Sequence, residues 1–289
     1  MITENQRESR RKFLGSSDAP ALVGVNPWKN AADLYWEKIR PPSENKKTST
    51  NDAVIIGNFC EDAVLEWFSQ TTGKKIVRNQ RRVHPNGIMA ANFDALVIGE
   101  EEAVEAKTAG IVSRLDENWG EIETDEIPEH VIVQVQHQMS VLPTVQVVWV
   151  PVLMGGVGFR KYRVERNQAF IDDLEKLEVN FWHNHIEKLV PPDDLPTIET
   201  IKKIRRVPKK TVALQDDLVS NWQKTRAASS IAEKEKDEAL RLLLGALGDA
   251  EEGFCSLGSV TYYEQTTKER IVPASTYRVA RFKAKKEEK

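Results

Sequence analysis

Cysteine is scarce in this chain: Cys60 and Cys255 are the only two among 289 residues, and they lie far apart. A disulfide framework and a four-cysteine iron–sulfur site within one chain are therefore excluded, and both thiols are expected to be small buried hydrophobes. Long apolar runs are missing as well. None approaches the ~20 residues needed to span a bilayer, and the polar stretch from Met1 to Glu8 lacks the apolar core of a signal peptide. An intracellular protein with no membrane partner is the expectation. There is also no excess of positive charge. A net charge of −3 does not suit a nucleic-acid binder taken whole, although binding needs only a local basic surface.

What is present is an ordinary globular composition, 40% hydrophobic and 29% charged, without internal repeats or low-complexity tracts. The length suggests one large domain with an appendage. Ser16-Ser17-Asp18 reads as a cap for a helix opening at Ala19-Pro20, Ala31 to Lys38 as helix, and Pro41 to Asn51 as a polar loop. Ile55 to Thr71 reads as a helix whose apolar stripe runs through Ile55, Ile56, Phe59, Ala63, Val64, Trp67 and Phe68. Strands follow at Lys75 to Arg78, Arg82 to Pro85 and Ile88 to Asn92. Beyond them come a helix from Pro128 to Val141, a nearly unbroken apolar strand from Val145 to Val152 and an outer strand from Phe159 to Glu165. The strand at Val145 belongs in the middle of a sheet covered on both faces. A long helix from Asn167 to Leu189 ends before a proline-rich break at residues 191–196. The expected division is thus an α/β (α+β) core over residues 1–190 and an appendage over 191–289, with a charged helix from about Asp216 to Leu247 and a small β unit from Phe254 to Tyr263. Basic clusters occur at Arg78 to Arg82, at Lys202 to Lys210 and at Arg278 to Lys286.

The most informative stretch is Asp94, followed by Glu105-Ala106-Lys107. Ala95 to Ile98, the polar turn Gly99 to Glu102 and Ala103-Val104 make a β-hairpin signal. With that turn, Ile98 faces Ala103 and Asp94 faces Lys107, and alternation gathers Asp94, Glu105 and Lys107 on one face. Such groups are commonly solvated surface charges. Here, however, Glu105 and Lys107 lie in the mostly apolar run Ala103 to Ala109, where charge is costly unless paired or metal-bound. Hard oxygen ligands at this spacing suit Mg²⁺, and the lysine can steady developing negative charge. The arrangement points to metal-dependent phosphodiester cleavage.

Two helices add candidates. The neighbours of Glu61 three, four and seven residues on are Val64, Leu65 and Phe68, so its carboxylate lies on or beside a packed face. In the helix from Pro128, Val131, Val135 and Met139 can face the core while Gln134 lies at its edge, where a neutral amide can bond the attacking water or the lysine without competing for the metal. His84 and His137 are weaker candidates, since single histidines are commonly surface or hydrogen-bonded core groups.

In order, Ser16-Ser17-Asp18, Asn26-Pro27-Trp28, Gly57-x3-Glu61, Asp94-x10-Glu105-x-Lys107 and Gln134 to Met139 resemble the YqaJ-type viral recombinases. These are relatives of phage lambda exonuclease in the PD-(D/E)xK nuclease superfamily. The resemblance covers roughly residues 10 to 165. It implies a restriction-endonuclease-like core, a central mixed β-sheet flanked by helices, with a helical and β appendage. It also implies a 5′→3′ exonuclease on ends of linear double-stranded DNA that leaves 3′ overhangs. Such an enzyme would work beside a single-strand annealing protein in phage or prophage recombination, in the cytoplasm of a bacterial host.

By position, Asp94, Glu105 and the Ala106 carbonyl would hold Mg²⁺, with Mn²⁺ as a substitute and two ions per site. Lys107 would help activate water or stabilise the transition state, Glu61 would bind metal-ligated waters or the second ion, and Gln134 would position lysine or nucleophile. Ser16 and Ser17 would sit where the 5′ phosphate is received, and Arg78, Arg81 and Arg82 would track phosphates. Resemblance to lambda exonuclease further implies a homo-oligomer, a ring-shaped trimer. One departure is Ala95, where the family often has glycine. An endonuclease of restriction or repair type, and a catalytically silent DNA-binding module, are the alternatives.

Overall fold

The computed structural model describes residues 10–40, 52–111, 119–197 and 211–264. The expected loop at 41–51 and the basic clusters at 202–210 and 278–286 lie outside these residues. The chain forms two compact units, Met1–Ile204 and Arg205–Lys289. Residues just past the proline-rich break belong to the first. Thr197 N–H donates to Asp33 Oδ1 at 2.8 Å, and Asn30 Nδ2 donates to the Leu195 carbonyl at 2.8 Å.

A seven-stranded mixed sheet forms the first unit. Its elements in chain order are β1 (Leu14–Gly15), α1 (Ala19–Val23), α2 (Ala31–Ile39), α3 (Asp52–Thr72), β2 (Ile76–Val83), β3 (Met89–Val97), β4 (Glu102–Val104), β5 (Lys107–Ala109), α4 (Glu129–Val141), β6 (Val147–Met154), β7 (Gly158–Glu165) and α5 (Gln168–Phe181). A π-helical turn, Trp182–Ile186, extends α5. β3 pairs antiparallel with β2 along one edge. Along its other edge it pairs antiparallel with β4 and, towards its own start, parallel with β1. β4 and β5 both run parallel to β6, and β7 closes the sheet antiparallel to β6. The α/β class with a central mixed sheet flanked by helices is as the sequence implies.

The valine-rich β6 is central because both faces of the sheet are covered. Leu65 and Phe68 of α3 pack with Ala95, Val97 and Val104 on one face. Val131, Val135 and Met139 of α4 share a core with Ala103, Val148, Val150 and Val152 on the other. Full burial of side chains such as Leu65 and Phe68 contributes about 1.5–3 kcal/mol each.

Four expectations need correction. The apolar stripe of α3 does not run its whole length: Phe59 is 80% and Ile55 38% exposed, and the buried residues of the helix, Val64, Leu65 and Phe68, lie in its C-terminal half. The strands expected at 75–78 and 82–85 are one strand. Asn79 takes a left-handed φ of 56°, which asparagine tolerates, so the ladder with β3 continues on either side of it. Asp18 caps α1 by position but makes no side-chain cap bond. Its Oδ2 instead accepts from Gly15 N–H and from buried Lys38, and its Oδ1 accepts from Lys29. Burial alone would raise its pKa, but the two lysines hold it well below the usual carboxylate range. Lastly, Cys60 is half-buried and Cys255 exposed, so neither is a core residue.

The second unit contains α6 (Asp216–Leu247) and the hairpin β8 (Glu252–Cys255) and β9 (Gly258–Thr261). Among the described residues no helix is long and apolar enough to cross a membrane.

One polar pair is buried entirely within the first unit. His137 Nδ1 lies 2.8 Å from Glu178 Oε1 and its Nε2 lies 3.2 Å from the Ala90 carbonyl. Both ring nitrogens face acceptors, so the ring carries both protons. Burial opposes that charge, but the Glu178 carboxylate and the Ala90 carbonyl outweigh it and raise the His137 pKa. The pair ties α4 to α5 and β3, the layers that hold one face of the sheet. A histidine whose folded pKa is raised contributes stability in full below its unfolded value, and loses it as pH rises through the folded value. Glu178→Gln is therefore expected to lose about 3–5 kcal/mol near pH 6, with the deficit shrinking towards pH 9. Denaturant melts of both proteins across that range check this, and a deficit that grows with pH contradicts it.

Candidate active site

The hairpin forms, but with a register two residues from the expected one: Ala95 faces Val104 and Leu96 faces Ala103. Beyond Ala95 the two strands part. A shift of two preserves the faces, so Asp94, Glu105 and Lys107 still share one side of the sheet.

The ladder on the other edge of β4 is interrupted at the same point. Glu105 N–H donates to the Trp149 carbonyl at 2.9 Å. In a regular parallel ladder the Glu105 carbonyl would then receive the N–H of residue 151. That residue is Pro151, which has none. β4 accordingly stops at Val104, and pairing with β6 resumes at Lys107 opposite Val152. In the gap, Ala106 N–H turns to the other strand and donates to Asp94 Oδ2 at 2.8 Å.

The cavity at this split holds about 270 Å³ and is lined by Gly57, Glu61, Asp94, Glu105, Ala106, Lys107 and Thr108. Glu105 is 5% exposed. Its Oε1 accepts from Lys107 Nζ at 2.7 Å and Gln134 Nε2 at 2.5 Å, and its Oε2 accepts from Gln138 Nε2 at 2.6 Å. Gln134 Oε1 accepts from Lys107 Nζ at 3.0 Å. Lys107, Glu105 and Gln134 thus form a closed triangle. Glu61 reaches the same cavity from the exposed half of α3.

Three carboxylates against one ammonium leave the cavity short of positive charge. Burial first, and then the charge of Glu105, push Asp94 up to about 8, with Glu61 adding to the rise. Lys107 and the Ala106 amide work in the opposite sense. Glu61 is raised too, by burial and by Glu105 and Asp62. Among the described residues no three His, Cys, Asp or Glu groups close on one point as a ready cage. The donor set fits Mg²⁺ nonetheless, because that ion keeps several waters and needs one or two carboxylates. A divalent cation between Asp94 and Glu105 would relieve the mutual repulsion that, after burial, favours the protonated form of Asp94.

The basic candidates are not gathered in one stripe. Arg78 turns onto α3, donating to Asp62 at 2.7 Å and Glu66 at 3.1 Å. Arg81 lies over the Phe13 ring, 5.2 Å from its centroid, on the opposite face of β2 from Arg78 and Arg82. Arg82 donates to the Arg81 carbonyl and to Gln80. Ser16 is buried and Ser17 exposed. Parallel pairing of Gly15 with Ala90 carries them along β3 in the direction of Asp94, ahead of an α1 only five residues long. His84 stands 3.9 Å from Glu175, and His137 is held by Glu178, so neither lines the cavity. The residue that sequence reasoning missed is Gln138. Its position one turn beyond Gln134, on the same side of α4, was the available signal.

Residues 7–144 match the YqaJ-like viral recombinase domain. YqaJ of Bacillus subtilis (strain 168), itself uncharacterized, is 36% identical over 182 residues, covering 61% of this chain and 54% of YqaJ. The chain thus spans about half the length of that relative. An alkaline exonuclease, LHK-Exo from Laribacter hongkongensis, superposes with a TM-score of 0.50 at 17% identity, over 65% of this chain and 94% of its own. The same enzyme in complex with dAMP gives a TM-score of 0.50 at 18% identity and the same coverage. At such identity the likeness is one of fold. The match over residues 7–144 falls on the stretch whose motifs carry the resemblance.

An acid whose folded pKa is raised stabilises the fold below its unfolded value, and that contribution is lost as pH rises through the folded value. Metal-free protein should therefore lose melting temperature relative to Asp94→Asn as pH rises from 5 to 9. Mg²⁺ should raise the midpoint of the parent protein more at pH 8.5 than at pH 6, and that of Asp94→Asn far less. Scanning calorimetry checks both, and an Mg²⁺ effect equal at the two pH values contradicts the assignment.

Proposed function

We propose that this YqaJ-like domain makes the chain a divalent-metal-dependent deoxyribonuclease that degrades linear double-stranded DNA from its ends, 5′→3′, leaving 3′ overhangs. The observation that carries the reading is the split between β3 and β5, where Asp94, Glu105, Lys107 and Glu61 converge on one charge-deficient cavity. Hydrolysis of a phosphodiester needs a held water, a cation opposite the scissile phosphate and a group that balances charge on the pentacoordinate phosphorus. The carboxylates lining this cavity would hold the cation and its water, and Lys107 would balance the charge.

Asp94, Glu105 and the Ala106 carbonyl would hold Mg²⁺, with Mn²⁺ as a substitute, and Glu61 would hold a second ion or its waters. The bound ion supplies Lewis acidity and an acidified water. Lys107 has three N–H donors, and two are committed to Glu105 and Gln134. The third can meet a phosphate oxygen or the attacking hydroxide. Gln134 fixes the lysine by accepting from it while donating to Glu105, so the ammonium cannot turn away. Ser17, exposed just before α1, would meet a terminal 5′ phosphate, and Arg81 and Arg82 would each meet the duplex backbone from its own face of β2. Kinship with the viral recombinases supports a single-strand annealing partner, a ring-shaped trimer that encircles DNA, and action in the bacterial cytoplasm during phage or prophage recombination.

The direct test incubates the protein with Mg²⁺ and either linear or covalently closed circular duplex. Nucleotide release is expected from the linear form alone, with loss of 5′ label first. Asp94→Ala and Lys107→Ala should each slow release by roughly 10²-fold or more, as expected for loss of a group that stabilises transition-state charge. Cutting of the closed circle would instead establish an endonuclease, and release that survives both substitutions would remove the site. No release from either DNA would establish a silent binding module.

A further inference from the structure

Glu105 is grasped from one helix at two successive turns, and the two grips are not equivalent. Its Oε1 accepts both Lys107 Nζ and Gln134 Nε2, whereas among the described residues its Oε2 accepts only Gln138 Nε2, at 2.6 Å. A carboxylate oxygen offers two lone-pair sites. Oε1 is therefore filled by protein donors, and Oε2 keeps one site open.

Gln138 itself is fully buried, and its own carbonyl oxygen, Oε1, has no hydrogen-bond partner among the described residues. Its amide orientation is fixed, because ionised Glu105 can only accept and the NH₂ must face it. Leaving a buried oxygen unpaired is costly. A leucine or methionine would fill the same volume without that cost, and α4 is already bonded to Glu105 through Gln134. The one thing Gln138 adds is a donor to Glu105 Oε2. That donor stops rotation of the carboxylate about its last bond.

We propose that Gln138 is a positioning residue. It locks the Glu105 carboxylate so that a single lone pair of Oε2 is presented to the divalent cation, making Glu105 a one-oxygen ligand. The inference deepens the metal reading above and rests on it. Outer partners that orient a ligating carboxylate typically change metal affinity by about 10–100-fold, which sets the size of the expected effect.

The experiment titrates Mn²⁺ into full-length protein and measures free Mn²⁺ by electron paramagnetic resonance, with apo melting temperature recorded in parallel. Gln138→Met keeps the volume and removes the donor. Gln138→Asn keeps a buried amide but withdraws it by one methylene. Both are expected to weaken Mn²⁺ binding about 10–100-fold. In Gln138→Met the apo midpoint should stay or rise, since an unpaired buried oxygen is lost. Unchanged Mn²⁺ affinity in the folded variants overturns the proposal. So does a fall in apo midpoint without a change in affinity, which is the mark of a purely structural residue. Failure of both variants to fold overturns it as well, because the amide is then required for folding rather than for the ion. Absence of Mn²⁺ binding in the unsubstituted protein would defeat the metal reading itself, and is read separately from either variant.

Discussion

The hydrogen bond from Ala106 N–H to Asp94 Oδ2, at 2.8 Å, spans the place where two strands of the sheet come apart, and the candidate site depends on that parting. A continuous sheet would leave no room there, since backbone groups would meet each other and the side chains of β5 would lie against a flat neighbour. Pro151 removes one amide from β6 and the β4–β6 ladder skips a step; on the β3 side the Ala106 amide takes a carboxylate oxygen in place of a carbonyl. Asp94 is thereby fixed beside Glu105 rather than opposite a backbone partner. The bond also favours the ionised form of Asp94, and it is outweighed by burial and by Glu105. The result is a carboxyl held in position and poised to give up its proton to an incoming cation.

Helix α4 holds this arrangement from one side. Successive residues serve different neighbours: Gln134 and Gln138 reach Glu105, while His137 meets Glu178 on α5 and the Ala90 carbonyl on β3. One helix thus joins the acidic cavity to a buried charge pair that fixes where the helix lies. Precision at the cavity follows from that rigidity, because a carboxylate gripped by three donors cannot follow a helix that shifts. The opposite wall differs. Glu61 sits on α3 between exposed Phe59 and Gly57, which approaches Thr108 of β5, and the buried Val64 and Leu65.

Much of this was legible in the sequence because it is written in local patterns. The central strand showed in the unbroken apolar run at Val145 to Val152, and α6 in its helical stretch from Asp216 to Leu247. The shared face of Asp94, Glu105 and Lys107 followed from alternation alone, and it survived a register error because that error was even. What failed was non-local. Nothing near Asp94 reveals that Pro151, far along the chain, will break the ladder. The half-exposure of α3 depends on what the fold packs against it, and Arg78 reads as free until Asp62 and Glu66 are brought beside it. Gln138 was given no role of its own because a glutamine in a helix is ordinarily a surface residue, whereas here it is fully buried against Glu105.

The most direct measurement of the central claim is anomalous diffraction from crystals grown or soaked with Mn²⁺. The account predicts a peak at the strand split, within coordination distance of an Asp94 carboxylate oxygen and Glu105 Oε2. A fully occupied peak elsewhere, or none at saturating Mn²⁺ with Asp94 still bonded to Ala106, would contradict it.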